Sequence, residues 1–298
     1  RQLCSCTGLL PLSHIIPGRL VTREELPVNY GSFGDVWRGV YDGKHVAIKG
    51  LRTHGKDNVC EIKRVFYKEV ALWKRLSHPN VVPFLGVCDS PVPLSMVSEW
   101  MPNGSVRQYV QDHPEADRLK LLLDSCHGLH FLHSHGVIHG DLKGDNILVD
   151  ASGMACLGDF GLSSIASFSC TGTSAPGPHG TIRWMAPELV FPILAMDEEL
   201  PSHSTKESDV YALAMVTIEV FTGLIPFHSY QRDPVVIKNI MLGERPKRPS
   251  RATELGLTDG LWDLIQSGWA QNASERPSVP TIIDSLLQVM VQRDVESS

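Results

Sequence analysis

The chain has 298 residues, of which 42% are hydrophobic and 20% charged, and its formal net charge is -6. This length and apolar content suffice for two hydrophobic cores and exclude a short peptide or a disordered chain. The mildly acidic balance gives no sign of a polyanionic partner, so we expect the protein to bind no nucleic acid.

Cysteine usage and hydropathy indicate the compartment. Seven cysteines are scattered without zinc-ligand or disulfide spacing, which predicts reduced thiols and a cytoplasmic location. The most lipid-like run, residues 210–227, carries Glu219 and ends with Pro226 shortly after Gly223, so we predict a buried helix and no membrane span. No signal peptide is visible, although a chain that begins at Arg1 is consistent with removal of an upstream segment.

The secondary-structure pattern changes in mid-chain. Residues 26–51 are rich in β-formers and are broken by turn signals, which predicts antiparallel strands, and a periodic helix over 59–76 and strand-like runs over 81–99 follow. The rest of the chain predicts long helices, placed at 118–135, 208–222, 260–270 and 280–292. The fold class is therefore α+β: two lobes with a cleft between them, a small antiparallel β-sheet lobe with one helix and a larger, mainly helical lobe.

These patterns give a proposed division of the chain. Its parts are an N-terminal extension over 1–25, a two-lobed domain over 26–292 with a small lobe at 26–101 and a large lobe at 102–292, and a C-terminal tail over 293–298.

A glycine-containing loop between two strands is the first candidate for phosphate binding. Glycines let backbone N–H groups approach an anion closely. The same residues would also suit a hairpin of purely structural purpose, so this loop alone does not decide between the two readings. Its candidate residues are Gly31, Ser32, Phe33, Gly34 and, at its end, Val36.

The next strand and helix suggest a buried ion pair. Alternation along the strand places Ala47 and Lys49 on one face, although a solvated lysine at a sheet edge would fit equally. In the helix over 59–76, Glu69 falls in the middle of the apolar stripe. A carboxylate there is costly without a cation, and Lys49 is the natural partner.

The densest polar cluster follows in two segments, 139–146 and 157–161. It combines two carboxylates, one amide and one ammonium group, contributed by Asp141, Asp159, Asn146 and Lys143. Such oxygen ligands, together with phosphate oxygens and water, suit Mg²⁺. Unrelated turn-forming residues would account for any one of them but explain the set poorly.

Taken in order, these motifs and the Ala-Pro-Glu at 186–188 resemble a eukaryotic protein kinase over residues 26–287. The segments 180–188 and 274–277 are similar to the tyrosine-kinase-like group, and 139–149 resembles kinases of mushroom-forming fungi. Lys143 and Thr181 are similar to the serine/threonine pattern. The resemblance implies transfer of the γ-phosphate of ATP to Ser or Thr hydroxyls of protein substrates, as part of signal transduction.

The resemblance also implies roles for the polar residues. Asp141 would orient the attacking hydroxyl and accept its proton, and Lys143 would stabilise charge on the transferred phosphoryl group. Asn146 and Asp159 would hold Mg²⁺ or, alternatively, Mn²⁺.

Nucleotide contacts are implied in the same way. Lys49, fixed by Glu69, would contact the α and β phosphates under the backbone of Gly31 to Gly34. The adenine contacts would be Val36, Ala47 and Leu148, with backbone hydrogen bonds from Glu99 and Met101.

Two departures from the family pattern stand out. Asn29 replaces the first glycine of the phosphate loop, and Gly140 stands where many relatives carry an arginine that binds phosphate on the activation loop. Without that guanidinium, we expect basal activity not to require activation-loop phosphorylation.

Other residues look structural. Glu188 and Arg276 resemble a buried ion pair, Asp209 resembles an anchor for the catalytic-loop backbone, and His139 and Phe160 resemble packing groups.

Three functions remain open from the sequence: an active protein kinase, an ATP-binding scaffold that has lost catalysis, and a small-molecule kinase of related fold. The presence of Lys49, Asp141, Asn146 and Asp159 argues against the scaffold. The segment 180–188, which resembles a peptide-docking segment, argues against a small-molecule substrate.

Overall fold

A computed structural model describes residues 14–30, 34–51, 59–92, 94–160, 181–195 and 203–296. The described residues up to Pro102 form one compact unit, and those from Asn103 onward form a second. The first is built on an antiparallel sheet and the second is mainly helical, which confirms the predicted α+β class.

The sheet of the first unit has the strand order β1-β3-β4-β6-β5, with β2 paired to β3. The strands are β1 (Val21–Arg23), β2 (Asn29–Tyr30), β3 (Gly34–Tyr41), β4 (Lys44–Leu51), β5 (Phe84–Cys88) and β6 (Ser95–Glu99). Along β4, Val46 and Ile48 are completely buried while Ala47 and Lys49 are half-buried. The predicted alternation is therefore confirmed, and Lys49 lies on the face opposite the core.

Residues 14–23, here called the N-terminal strap, pack against this sheet. Ile15 forms a parallel bridge to Val87 of β5, while β1 pairs with the end of β3. Ile16 and Val21 are each 5% exposed and belong to the same core cluster as Val46 and Ile48. Residues before 26 thus join the sheet, and the boundary of the extension at residue 25 remains a prediction.

Helix α1 (Val59–Trp73) ends three residues earlier than the sequence predicts. Its apolar stripe is buried through Phe66, Val70 and Trp73. The indole of Trp73 stacks on Phe84 with ring centroids 4.9 Å apart and donates a hydrogen bond to the Val82 carbonyl at 3.1 Å. These contacts attach the helix to the segment that enters β5.

The second unit contains the predicted long helices, with ends shifted by no more than four residues. Its described helices are α2 (Val106–Asp112), α3 (Arg118–Ser134), α4 (Pro187–Ala195), α5 (Lys206–Thr222), α6 (Asp233–Met241), α7 (Asp259–Gly268) and α8 (Val279–Glu296). A hairpin of β7 (Ile147–Val149) and β8 (Ala155–Leu157) follows α3.

Helix α5 forms the centre of this unit. Every residue from Ser208 to Phe221 is buried, which confirms the buried helix predicted from the hydropathy of this run. Within the part of the chain that the structure describes, no helix has the length and hydrophobicity needed to cross a membrane.

Candidate active site

In the first unit, strand pairing aligns several predicted nucleotide contacts. Lys49 lies opposite Val36 of β3 on one side and Met96 of β6 on the other, and Ala47 lies two residues before Lys49 on the same face. Gly34 begins β3. Val36 and Lys49 thus share one rung of the sheet.

The structure describes only part of the predicted phosphate loop. Gly31, Ser32 and Phe33 fall outside the described residues, so their predicted role stays a prediction. Asn29, at the position where the pattern has its first glycine, lies in extended strand β2 and pairs with Val36. A non-glycine residue therefore fits this backbone.

Four other predicted contacts are placed as follows. Glu69 lies on α1 and is half-buried, and its pairing with Lys49 stays a prediction. Glu99 ends β6 with an exposed side chain, its backbone N–H bonded to the Pro83 carbonyl at 3.0 Å, and Met101 is 6% exposed. Leu148, the remaining adenine candidate, is half-buried on β7 of the second unit.

In the second unit, Asp209 holds the loop that carries Asp141. Its carboxylate accepts hydrogen bonds from the backbone N–H groups of His139 at 2.8 Å and Gly140 at 2.9 Å. His133 Nε2 also lies 2.9 Å from Asp209 Oδ2. Asp209 is 1% exposed at the start of α5, so the anchoring role implied by the resemblance is confirmed.

Asp141 is buried, and its two carboxylate oxygens are in different surroundings. Oδ2 accepts hydrogen bonds from Lys143 Nζ and Asn146 Nδ2, both at 2.9 Å. Oδ1 is buried without a hydrogen-bond partner among the described residues. A buried oxygen without a donor is costly, and it is the atom that could accept a proton from a hydroxyl brought to this loop.

Asn146 and Asp159 are brought close by the β7–β8 hairpin. Gly158 N–H, just before Asp159, donates to the Asn146 carbonyl at 2.8 Å. Asn146 also donates its amide N–H to the Asp141 carbonyl at 2.7 Å, which leaves its amide oxygen for a cation. One carboxylate and one amide oxygen fit a Mg²⁺ ion that takes its other ligands from phosphate and water. Among the described residues, no group of three or more His, Cys, Asp or Glu side chains is placed to hold a metal ion.

Lys143 connects this loop to a second segment. Besides its bond to Asp141, Lys143 Nζ donates to Thr181 Oγ1 at 3.2 Å. A cation at this point is positioned beside both the candidate base and a segment predicted to dock substrate.

His139 is completely buried, and burial lowers the pKa of its imidazole. Its Nδ1 accepts a hydrogen bond from the Asp141 N–H at 3.3 Å, and its ring lies edge-on to Phe160 with centroids 6.2 Å apart. A neutral, packed imidazole confirms the structural reading of this residue.

Sequence reasoning missed the contacts of Glu219, a residue considered only as a charge within an apolar run. Glu219 Oε2 accepts hydrogen bonds from Gly144 N–H and Trp184 Nε1–H, each at 2.7 Å. The side chain is fully buried, and this burial raises its pKa to about 8. The available signal was that Glu219 is the only charged residue of the apolar run 210–227, where a buried carboxylate demands polar partners.

The side chain of Arg107, on α2, approaches Glu219 as well. Its guanidinium NH2 lies 2.7 Å from Asp145 Oδ1, and its Nε lies 3.6 Å from Glu219 Oε1. The second distance is too long for a hydrogen bond, so Oε1 is a buried oxygen without a donor in the described chain.

The predicted Glu188–Arg276 ion pair is present. Two parallel hydrogen bonds of 2.6 and 2.8 Å join the guanidinium to the carboxylate. The Arg276 side chain is fully buried, lies over the Tyr211 ring and also donates to the Glu207 carbonyl at 3.0 Å. The pair therefore ties the start of α4 to the segment before α8.

Gly140, the second departure from the family pattern, has a φ of 76°. This left-handed conformation costs a side-chain-bearing residue energy that glycine does not pay. The activation-loop residues that would be phosphorylated lie outside the described residues.

Comparison with known proteins gives a family assignment. The profile described as "Protein tyrosine and serine/threonine kinase" matches residues 23–286. The serine/threonine/tyrosine-protein kinase HT1 of Arabidopsis thaliana is 33% identical over 260 residues, which cover 85% of this chain and 62% of HT1.

Two further relatives have similar identity to this chain but are named for different acceptor residues. The serine/threonine-protein kinase STY46 of Arabidopsis thaliana is 30% identical over 87% of this chain and 42% of its own length. The cytoplasmic tyrosine-protein kinase BMX of Mus musculus is 31% identical over 89% of this chain and 39% of its own length. The chain thus spans about two fifths to three fifths of these curated relatives.

Proposed function

This chain belongs to the protein kinase family, and we propose from that premise that it transfers the γ-phosphate of ATP to serine and threonine hydroxyls of proteins. The observation that carries the proposal is the pair of environments at Asp141. Oδ2 is held by Lys143 and Asn146, while Oδ1 is a buried acceptor without a donor among the described residues. A carboxylate fixed in this way has one oxygen held in place and one ready for the acceptor hydroxyl.

In the proposed reaction, the acceptor hydroxyl donates a hydrogen bond to Asp141 Oδ1. As its oxygen bonds to the γ-phosphorus, the bond from that phosphorus to the β–γ bridging oxygen breaks and the proton passes to Asp141. ADP leaves with the electron pair of the broken bond. Lys143, 2.9 Å from Asp141, offsets the negative charge on the transferred group.

The metal ligands in this proposal are Asn146 and Asp159, with Mg²⁺ or Mn²⁺ as the cation. The bound cation would neutralise charge on the phosphate oxygens during transfer. The hydrogen bond of 2.8 Å from the Gly158 N–H to the Asn146 carbonyl joins the two backbone segments that carry these residues.

The nucleotide contacts that we propose in the first unit are the phosphate loop, Val36, Ala47, Lys49, Glu99 and Met101. In the second unit, we propose Leu148 as a further contact for adenine. The shared rung of Val36 and Lys49 supports this set, because it places an apolar side chain beside the proposed phosphate-binding lysine. Glu69 would hold Lys49 in position.

The preference for serine and threonine rests on Lys143 and its contact with Thr181. A further likeness to fungal kinases, a cytoplasmic location and the lack of nucleic acid binding remain predictions. The three cysteines that the structure describes as free and buried, Cys88, Cys126 and Cys156, agree with a reducing compartment.

We further propose that basal activity does not depend on activation-loop phosphorylation, because Gly140 supplies no guanidinium to pair with a phosphate. Exhaustive phosphatase treatment followed by removal of the phosphatase tests this idea. Unchanged turnover supports it, and a large loss of turnover would refute it.

The main test is transfer of labelled phosphate from ATP to a generic basic protein with Mg²⁺, comparing the wild-type chain with Asp141→Asn. Label on serine and threonine that is lost in Asp141→Asn supports the proposal. Label on tyrosine would overturn the hydroxyl preference alone. Absence of label with both proteins while ATP still binds would favour the ATP-binding scaffold.

A further inference from the structure

Lys143 contacts two separate chain segments in the proposed active site. One is the loop from Asp141 to Asn146, and the other begins at Thr181, whose hydroxyl accepts a hydrogen bond from Lys143. Their relative placement decides whether Lys143 can serve the acceptor hydroxyl and the phosphoryl group together.

A single buried carboxylate joins the same two segments. Glu219 Oε2 accepts one hydrogen bond from Gly144, within the first segment, and another from the indole of Trp184, three residues beyond Thr181. Both distances are 2.7 Å, and Glu219 itself lies on α5, the buried central helix of the unit. The carboxylate thus fixes both segments to the same rigid element.

The packing at Gly144 leaves little tolerance. A Cβ at this position would lie 2.8 Å from Glu219 Oε1, closer than side-chain atoms approach one another. Gly144 also begins the 3-10 turn Gly144–Asn146, which ends at the proposed metal ligand. A shift of Gly144 would therefore move Lys143 on one side and Asn146 on the other.

We propose that Glu219 is a positioning residue for phosphoryl transfer, which holds the Asp141–Asn146 loop and the Thr181–Trp184 segment in the arrangement that places Lys143 between them. This inference rests on the proposed kinase function and adds to it a residue that touches neither ATP nor the acceptor hydroxyl. Glu219 acts through its two N–H donors, so an acceptor atom is required at this place and a negative charge is not.

This distinction sets the choice of variants. Glu219→Gln retains a side-chain oxygen for both donors, whereas Glu219→Met keeps the length and apolar stem and removes the acceptor. Thr217→Val is a matched control, because Thr217 is a buried polar residue on the same helix whose hydroxyl donates, among the described residues, to the Leu213 carbonyl of that helix.

Steady-state kinetics on the full chain give the first readout. We expect Glu219→Gln and Thr217→Val to keep kcat within about twofold and Glu219→Met to lower it about tenfold or more, since small misplacements in a reacting site are this costly. The KM for ATP should stay within about twofold in all three, because the proposed adenine and α,β-phosphate contacts lie elsewhere. Equal kcat for Glu219→Gln and Glu219→Met, or a KM that rises in step with the loss of kcat, would overturn the proposal.

Trp184→Phe covers the case in which Glu219→Met does not fold. It removes the indole donor alone, and the expected result is a partial loss of kcat, about threefold to tenfold, with the KM for ATP unchanged. An unchanged kcat in folded Trp184→Phe would contradict a role for this bond.

A spectroscopic readout separates failure of this inference from failure of the kinase function. In ¹⁵N–¹H spectra, the Trp184 indole and the Asn146 side-chain amide report on the two segments without any turnover. We expect both signals to move in Glu219→Met and the Asn146 signal to stay near its wild-type position in Glu219→Gln. An Asn146 signal that is unaffected by Glu219→Met would refute the coupling, even if the wild-type chain shows no phosphoryl transfer.

Discussion

The pKa of Glu219 is strongly shifted although its carboxylate accepts hydrogen bonds from two N–H donors. Burial raises its pKa from the ordinary value of 4.5 to about 8, although the Gly144 and Trp184 N–H groups act in the opposite direction. The cost of removing a carboxylate from water outweighs two good hydrogen bonds. The native state therefore holds a proton on Glu219 over a range of pH in which the unfolded chain has released it.

This proton makes stability depend on pH. The pKa of Glu219 is higher in the folded than in the unfolded chain. The contribution of the protonated side chain to the unfolding free energy is therefore complete below about pH 4.5 and is lost as the pH rises toward 8. Relative to wild type, Glu219→Gln should gain in unfolding free energy with rising pH, by up to about 1.4 kcal/mol per pH unit in this window. Urea denaturation of both proteins at several pH values measures the difference, and parallel curves would contradict the shift.

Gly140 offers a second test at the scale of one residue. Because its φ is 76°, Gly140→Ala should lower the unfolding free energy by about 1–2 kcal/mol. Gly260→Ala is the matched control, since Gly260 lies in α7 with open space where a Cβ would stand, and we expect it to raise stability by up to about 1 kcal/mol. Denaturation midpoints of the two variants should shift in opposite directions.

The conformation of Gly140 could not be predicted from the sequence, and neither could the partners of Glu219. Glu219 contacts Gly144 and Trp184, which lie 75 and 35 residues away along the chain. Local patterns report on neighbours within a helix or strand and carry no information on such distant pairs. Asp141, Asn146 and Asp159 could be proposed from the sequence because they belong to motifs whose order is itself a signal.

Among the secondary-structure elements, α4 depends on a contact with a distant segment. Glu188 in its first turn pairs with Arg276, whose side chain is fully buried while that of Glu188 is one-third exposed. Removing Glu188 would leave the guanidinium without its anionic partner, which is the costly way to break such a pair. The contact therefore stabilises the second unit even though it lies outside the proposed chemistry.

We expect Glu188→Ala to lower the unfolding free energy by about 3 kcal/mol. Glu254→Ala breaks an ion pair of similar length with Arg251, in which both side chains are mostly exposed, and should change stability by less than about 0.5 kcal/mol. Thermal unfolding of the two variants provides the comparison. A loss in Glu254→Ala as large as that in Glu188→Ala would show that burial does not set the cost.

Four of the seven helices described in the second unit, α3, α5, α7 and α8, could be predicted because apolar patterning is a local property, whereas the shorter helices α2, α4 and α6 were not predicted. Their ends were less certain: α8 runs from Val279 to Glu296, whereas the periodicity predicted 280–292. Helix α1 ends at Trp73 because the following residues make their own turn bonds, from Arg75 to the Leu72 carbonyl and from Leu76 to the Trp73 carbonyl. Leu76 is nevertheless buried, so the pattern of buried apolar residues extends three residues beyond the end of the helix.

At the scale of the whole molecule, the α+β class could be predicted, but the specific contacts of the N-terminal strap could not. Composition changes near residue 102 because strand formers give way to helix formers, and this change is visible in the sequence. The strap depends on Ile15 meeting Val87, a pairing between residues far apart in the chain that no local pattern encodes.

Two neighbouring isoleucines test whether the strap contributes to stability. Ile16 is 5% exposed within the sheet core, whereas Ile15 is 44% exposed. We expect Ile16→Ala to lower the unfolding free energy of the full chain by about 2–4 kcal/mol and Ile15→Ala by less than about 0.5 kcal/mol. Calorimetry on both variants would reveal the difference, and equal, small effects would mean that the strap is not needed for the stability of the sheet.

The strap also covers part of the sheet edges of the first unit. Strand edges present unpaired backbone N–H and C=O groups, to which a strand of another chain can add. The strap occupies part of both outer boundaries of the sheet, through the Ile16 N–H bond to the Val87 carbonyl and the pairing of β1 with β3. Shortening the protein to residue 26 would uncover these groups together with the apolar surface under Ile16 and Val21, and would create a chain prone to aggregate through its sheet.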